Sequence, residues 1–146
     1  MEGVRKGSES GSLTMVVIVL MCTVLMMVPC VSAAQWIVGG TRGWNYDLNC
    51  TEWTEDKQFY IGDSLVFKYN MYRLNVLEVN KTDYETCIPD HPLHNWTGGA
   101  GRDVVPLDVT RNYYIISDEQ SCSFGMRLAI HVDNLPPPSS KATLLL

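Results

Sequence analysis

Three histidines, five cysteines and a scatter of carboxylates are the residues of this 146-residue chain that could do chemistry. His91 and His94 stand either side of Pro92 in a stretch without regular patterning. Two imidazoles at that spacing share a metal ion only if further ligands arrive from elsewhere, so they are read as solvated loop residues. His131 alternates with Leu128, Ile130 and Val132 and is read as a surface residue of a strand. No nucleophile elbow, paired-carboxylate spacing or glycine-rich phosphate loop occurs, and the chain is not read as an enzyme. Asn49-Cys50-Thr51, Asn80-Lys81-Thr82 and Asn95-Trp96-Thr97 each fit the N-glycosylation pattern. At least one of the three is expected to be used, Asn80 and Asn95 ahead of Asn49, because Cys50 can compete for a disulfide. All three are turn asparagines whether or not they carry sugar.

That chemistry depends on the compartment, and the N-terminus addresses it. After Arg5 and Lys6 comes an apolar run from Thr14 to Val28, then Pro29, then the small residues Ser32, Ala33 and Ala34. This is the layout of a secretory signal peptide, read here as residues 1–34, with the cut near Ala33 to Gln35. The apolar run is short for a membrane span and lacks a basic stop-transfer cluster. Export implies an oxidising setting. Cys22 and Cys30 leave with the leader, and Cys50, Cys87 and Cys122 remain, so one disulfide and one leftover thiol are expected from three possible pairings. The leader's Arg5 and Lys6 cancel its Glu2 and Glu9, so the net charge of −5 stays with the exported part. With no basic run to neutralise phosphates, nucleic acid is excluded as a partner.

The elements that must position these residues are short and extended. Tyr113 to Ile116 is an aromatic and β-branched run, and Met126 to Val132 alternates apolar with polar, giving strand, loop, strand around Cys122. Gln35 to Val38 reads as a first strand ending at Gly39-Gly40. Thr41 to Thr54 reads as a long connection anchored by Trp44 and Trp53. Lys57 to Ile61, Ser64 to Tyr69 and Asn75 to Val79 read as strands, and Lys81 to Cys87 as a short helix that Asn80 could cap. Pro89 to Gly101 is loop. Val104 to Val109 is a strand placed at a sheet edge by Pro106. Six or seven short strands with little helix indicate an all-β sandwich or barrel, at residues 35–133. Residues 134–146, with three prolines and two serines, form a stiff polar tail. Leu144 to Leu146 are too few for a lipid-anchor signal, so membrane association through a lipid anchor is not evident in this C-terminus.

From Gln35 to Val132 the chain resembles the phytocyanins, small exported plant cupredoxins. The resemblance is carried by IVGGTRGW (Ile37 to Trp44), IGDSLVFKY (Ile61 to Tyr69), NVLEVNKTDYETC (Asn75 to Cys87) and SCSFGMRLAIHV (Ser121 to Val132). It implies a cupredoxin-like two-sheet Greek-key β-sandwich with one short helix and one disulfide, Cys87–Cys122. Copper-binding members hold the metal with two histidines, a cysteine and an axial methionine or glutamine. Carried over position by position, the first histidine falls on Leu74, the cysteine on Ile116, the second histidine on Ser121 and the axial ligand on Met126. Only Met126 could ligate, and no histidine occurs from Leu65 to Asp90. The copper site is therefore read as lost, its pocket part-filled by apolar side chains with Ser121 and Phe124 at the rim, and no cofactor is expected.

That departure makes the chain similar to the copper-free early nodulin-like branch. The resemblance implies an exported glycoprotein of the apoplast or outer face of the plasma membrane that binds a cell-wall glycan or an extracellular or receptor protein. Its alternative is a blue copper protein with electron transfer activity.

Overall fold

A computed structural model describes residues 3, 10–25 and 32–134 of the chain. Its contacts divide the chain into two units, Met1–Val31 and Ser32–Leu146. In the first, helix α1 (Ser10–Leu25) takes up most of the apolar run. Among the described residues no helix is long and apolar enough to cross a membrane. The tail expected at 134–146 lies, after Asn134, outside the described residues.

The second unit is a sandwich of two sheets. One has three strands in the order β1 (Gln35–Ile37), β3 (Ser64–Lys68), β6 (Arg102–Pro106). The other has five, in the order β2 (Phe59–Tyr60), β8 (Arg127–Asp133), β7 (Asn112–Ile116), β4 (Leu77–Val79), β5 (His94–Asn95). The pairs β1·β3 and β2·β8 are parallel and the rest antiparallel. Along β8 burial alternates strictly, with Leu128, Ile130 and Val132 inside and Ala129 and His131 outside, so its period of two is a real core face. The main core joins these to Trp44, Leu65, Phe67, Tyr113 and Ile115. A smaller cluster of Leu77, Val79, Ile116 and the Cys87–Cys122 disulfide packs with Tyr84 and Tyr114.

Trp44 is the anchor of the long connection. Its ring is fully buried edge-on against Phe67, and the chain reaches that position through Gly43, at φ 70°, whose backbone passes so close to Lys68 that a Cβ would sit 2.5 Å from the Lys68 carbonyl oxygen. Only glycine fits such an approach in the left-handed region.

Several elements differ from the sequence reading, each for a local reason. In place of one short helix the sandwich carries three: α2 (Cys50–Thr54), α3 (Lys81–Thr86) and α4 (Glu119–Ser123). Each starts on a side-chain oxygen that accepts the amide three residues on: Asn49 from Glu52, Asn80 from Asp83 and Asp118 from Ser121. The Asn80 cap and α3 stand as expected; the other two caps were hidden in segments read as loop. The strand expected from Asn75 begins only at Leu77. The Asn75 amide donates to Ser117 Oγ and the Val76 amide to Thr97 Oγ1, partners outside any ladder. β6 does lie at a sheet edge and ends on Pro106, which cannot donate to a further partner. A two-residue strand, β5, lies within the segment read as loop.

Candidate metal centre

The segments that carry Leu74, Ile116, Ser121 and Met126 meet at one end of the sandwich, and their own backbone holds them there. The turn before Leu74 is closed by Leu74 N–H donating to the Asn70 carbonyl at 3.1 Å, with the Asn70 side chain accepting from Tyr72 N–H at 3.0 Å. Next along, the Asn75 carbonyl accepts from Trp44 Nε1 at 3.0 Å and its amide donates to Ser117 Oγ at 2.9 Å. This ties the turn to the end of β7. From there α4 carries the chain across, and the Met126 amide returns to the Ser121 carbonyl at 3.0 Å.

Asp118 is the hub of that crossing. Its carboxylate accepts from the Ser121 amide at 2.9 Å, from Ser121 Oγ at 2.6 Å and from Ser117 Oγ at 3.3 Å. Burial pushes the Asp118 carboxyl up, but the hydrogen bonds from Ser121 and Ser117 outweigh it and hold the group below the usual carboxylate range. Ser117 and Ser121 are both fully buried. Ser121 is therefore not at a rim; it lies inside, its hydroxyl spent on Asp118. Phe124, by contrast, is 76% exposed.

The other three side chains are also fully or almost fully buried, in two clusters of the core. Leu74 and Met126 belong to the main core, whereas Ile116, paired opposite Leu77 in the sheet, belongs to the cluster around the disulfide. As a donor set the four offer one thioether and one hydroxyl that is already a donor to Asp118. This does not fit a copper ion, which needs thiolate and imidazole to compete with water.

The remaining candidates lie elsewhere. His91, His94 and His131 are exposed. His94 stacks on Trp96 with ring centroids 3.9 Å apart, and His131 sits with Nδ1 2.7 Å from Asn112 Oδ1. Among the described residues no group of three or more histidines, cysteines or carboxylates is placed to hold a metal. Cys50 is free and buried in the main core, and burial pushes its thiol up to about 12. All three sequon asparagines are exposed; Asn49 and Asn80 are helix caps, and Asn95 accepts the Thr97 amide at 3.0 Å.

Two features escaped the sequence reading. The Asp118–Ser121 cap has a local signal, an aspartate three residues before the amide it accepts. Buried Glu78, held by Arg111 Nη1 and by Trp96 Nε1 at 3.2 Å, has only the weak signal of one acid inside an apolar strand.

The plastocyanin-like domain family matches residues 44–126. The chain belongs to the phytocyanin family. This phytocyanin is 48% identical over 114 residues to early nodulin-like protein 17 of Arabidopsis thaliana, covering 78% of this chain and 66% of that protein. It is 45% identical over 116 residues to early nodulin-like protein 19 of the same plant, covering 80% and 82%. The chain thus spans about two thirds of the first of these relatives. Among solved structures it is similar to cucumber basic protein, a blue copper protein, with a TM-score of 0.59 and 33% identity over 68% of this chain and 100% of that one. The cupredoxin-like sandwich and the Cys87–Cys122 disulfide of the phytocyanins are therefore both present.

Proposed function

We propose that this phytocyanin has lost the type 1 copper ligands and serves as a non-redox binding module, exported as a glycoprotein to the apoplast or the outer face of the plasma membrane. The observation that carries the reading is the use to which the four ligand positions are put. Leu74 and Met126 are core, Ile116 packs beside the disulfide, and Ser121 is bound to Asp118. Of the donors these positions carry, the Met126 thioether lies in the core and the Ser121 hydroxyl is bound to Asp118, which speaks against a type 1 copper ion there. The early nodulin-like relatives support the branch. Export is supported by the apolar leader and by the disulfide, which an oxidising compartment favours. The exposed sequon asparagines support sugar at Asn49, Asn80 or Asn95.

Among the described residues no catalytic constellation is present, and the reading assigns the domain to surface recognition, with a cell-wall glycan or an extracellular or receptor protein as the proposed partner class. The second reading, electron transfer, is favoured by the likeness to cucumber basic protein, a blue copper protein, and is opposed by the donor set. Binding of the secreted protein to arrayed cell-wall glycans and to receptor ectodomains, with and without a copper chelator, separates the two. Binding unchanged by the chelator is expected. Binding that appears only with copper contradicts the non-redox reading.

A further inference from the structure

We propose that the leader is removed between Ala33 and Ala34, and that the α-ammonium group created there becomes the counter-ion of the buried Asp63 carboxylate. The inference rests on the export reading above and adds the site of processing and its purpose.

Asp63 is a carboxylate in an awkward place. It is 6% exposed, at the turn that leads into β3, and no ion pair among the described residues includes it. Its two oxygens accept from three donors: Ala34 N–H at 2.8 Å, Trp36 Nε1 at 3.1 Å and Tyr60 N–H at 3.1 Å. Lys57 lines the same groove, but its ammonium is 2.6 Å from Asp56 and lies over the Trp53 ring. A buried carboxylate with hydrogen bonds but no cation is only partly compensated.

The shortest of the three bonds comes from Ala34, within the stretch where the leader is expected to end. Ala34 is held on both sides, its amide by Asp63 and its carbonyl by the Ser64 amide at 2.9 Å, just ahead of β1. Ser32 and Ala33 before it are exposed. Hydrolysis of the Ala33–Ala34 bond by a signal peptidase adds one water across it and yields the Ala33 carboxylate and the Ala34 ammonium. The nitrogen that was an amide donor to Asp63 is then a cation at the same point of the chain. A cut one residue later, at the boundary that composition suggests, deletes this donor. A cut one residue earlier leaves an uncharged amide. Only the Ala33–Ala34 cut turns the contact into a charge-assisted bond.

The test uses the full chain expressed with its leader in a plant secretory host. Mass spectrometry of the purified protein reads the N-terminus, and acetylation of its α-amine by an N-hydroxysuccinimide ester at neutral pH is timed. Three samples are compared: folded protein, urea-unfolded protein and the Asp63→Asn variant. The expected result is Ala34 as first residue, with the folded protein reacting roughly tenfold slower than the other two, the loss of free amine that one pKa unit represents. If the variant does not fold, the folded and unfolded wild-type rates decide alone. A first residue at Ser32, Ala33 or Gln35, or equal rates folded and unfolded, overturns the inference while leaving export intact. A protein that keeps residues ahead of Ser32 overturns the export reading and this inference together.

Discussion

Asp118 shows how a single carboxylate organises one end of the sandwich. Three donors from Ser117 and Ser121 converge on it, and through Ser117 it reaches the Asn75 backbone. Replacing Asp118 by alanine removes the cap of α4, and a loss of about 1 kcal/mol is expected by urea unfolding. Because the folded carboxyl titrates below its ordinary value, its stabilisation is present above that value and fades as pH falls through the folded one. The gap between wild type and Asp118→Ala should therefore narrow below about pH 4; a gap that widens in acid would contradict the assignment. Cys50 makes the opposite case, a reactive group type made inert. With its thiol pushed up to about 12 and its side chain in the core, it should resist thiol reagents at neutral pH and titrate only after unfolding. Rapid labelling of the folded protein would show the thiol to be accessible. The exposed histidines were legible because proline and strand alternation speak locally. The bond from Asn75 to Ser117 was not, because its partners are 42 residues apart.

Elements here are fixed by a few long-range ties rather than by length. α3 and α4 are joined by Cys87–Cys122, a cross-link spanning 35 residues. Removing it with a Cys87→Ala/Cys122→Ala pair should cost about 3–4 kcal/mol on the chain-entropy account. β4 and the residue just before β7 are joined by Glu78 and Arg111, with Glu78 almost wholly buried and Arg111 stacked on Tyr113. Arg111→Ala leaves Glu78, among the described residues, with only Trp96 as a side-chain donor and should cost about 2–3 kcal/mol, whereas Arg111→Lys should recover part of that. Equal loss in both variants would place the effect in packing against Tyr113 instead of charge. β8 was read correctly because one face is core along its whole length. α2 and α4 were missed because a five-residue helix has too few turns to show periodicity, leaving the capping residue as its only signature.

For the whole molecule, the sandwich was readable from the number of short strands and from four family motifs, while the use of Leu74, Ile116, Ser121 and Met126 became visible only in packing. The sequence placed Ser121 at a rim; the structure buries it on Asp118. Treatment of the secreted protein with an N-glycosidase should lower its mass by at least one glycan, and loss of that shift in the Asn49→Gln/Asn80→Gln/Asn95→Gln variant identifies the sequons. The central claim is that this phytocyanin fold persists without copper chemistry. Copper titration of the purified secreted protein, followed by visible absorption and by metal analysis after dialysis, tests it most directly. The account predicts a colourless protein that loses its copper on dialysis while its circular dichroism remains that of a folded β-sandwich. Stoichiometric copper retained with an intense thiolate-to-copper band would contradict it, since Cys50 would then have to leave the core to supply the sulfur.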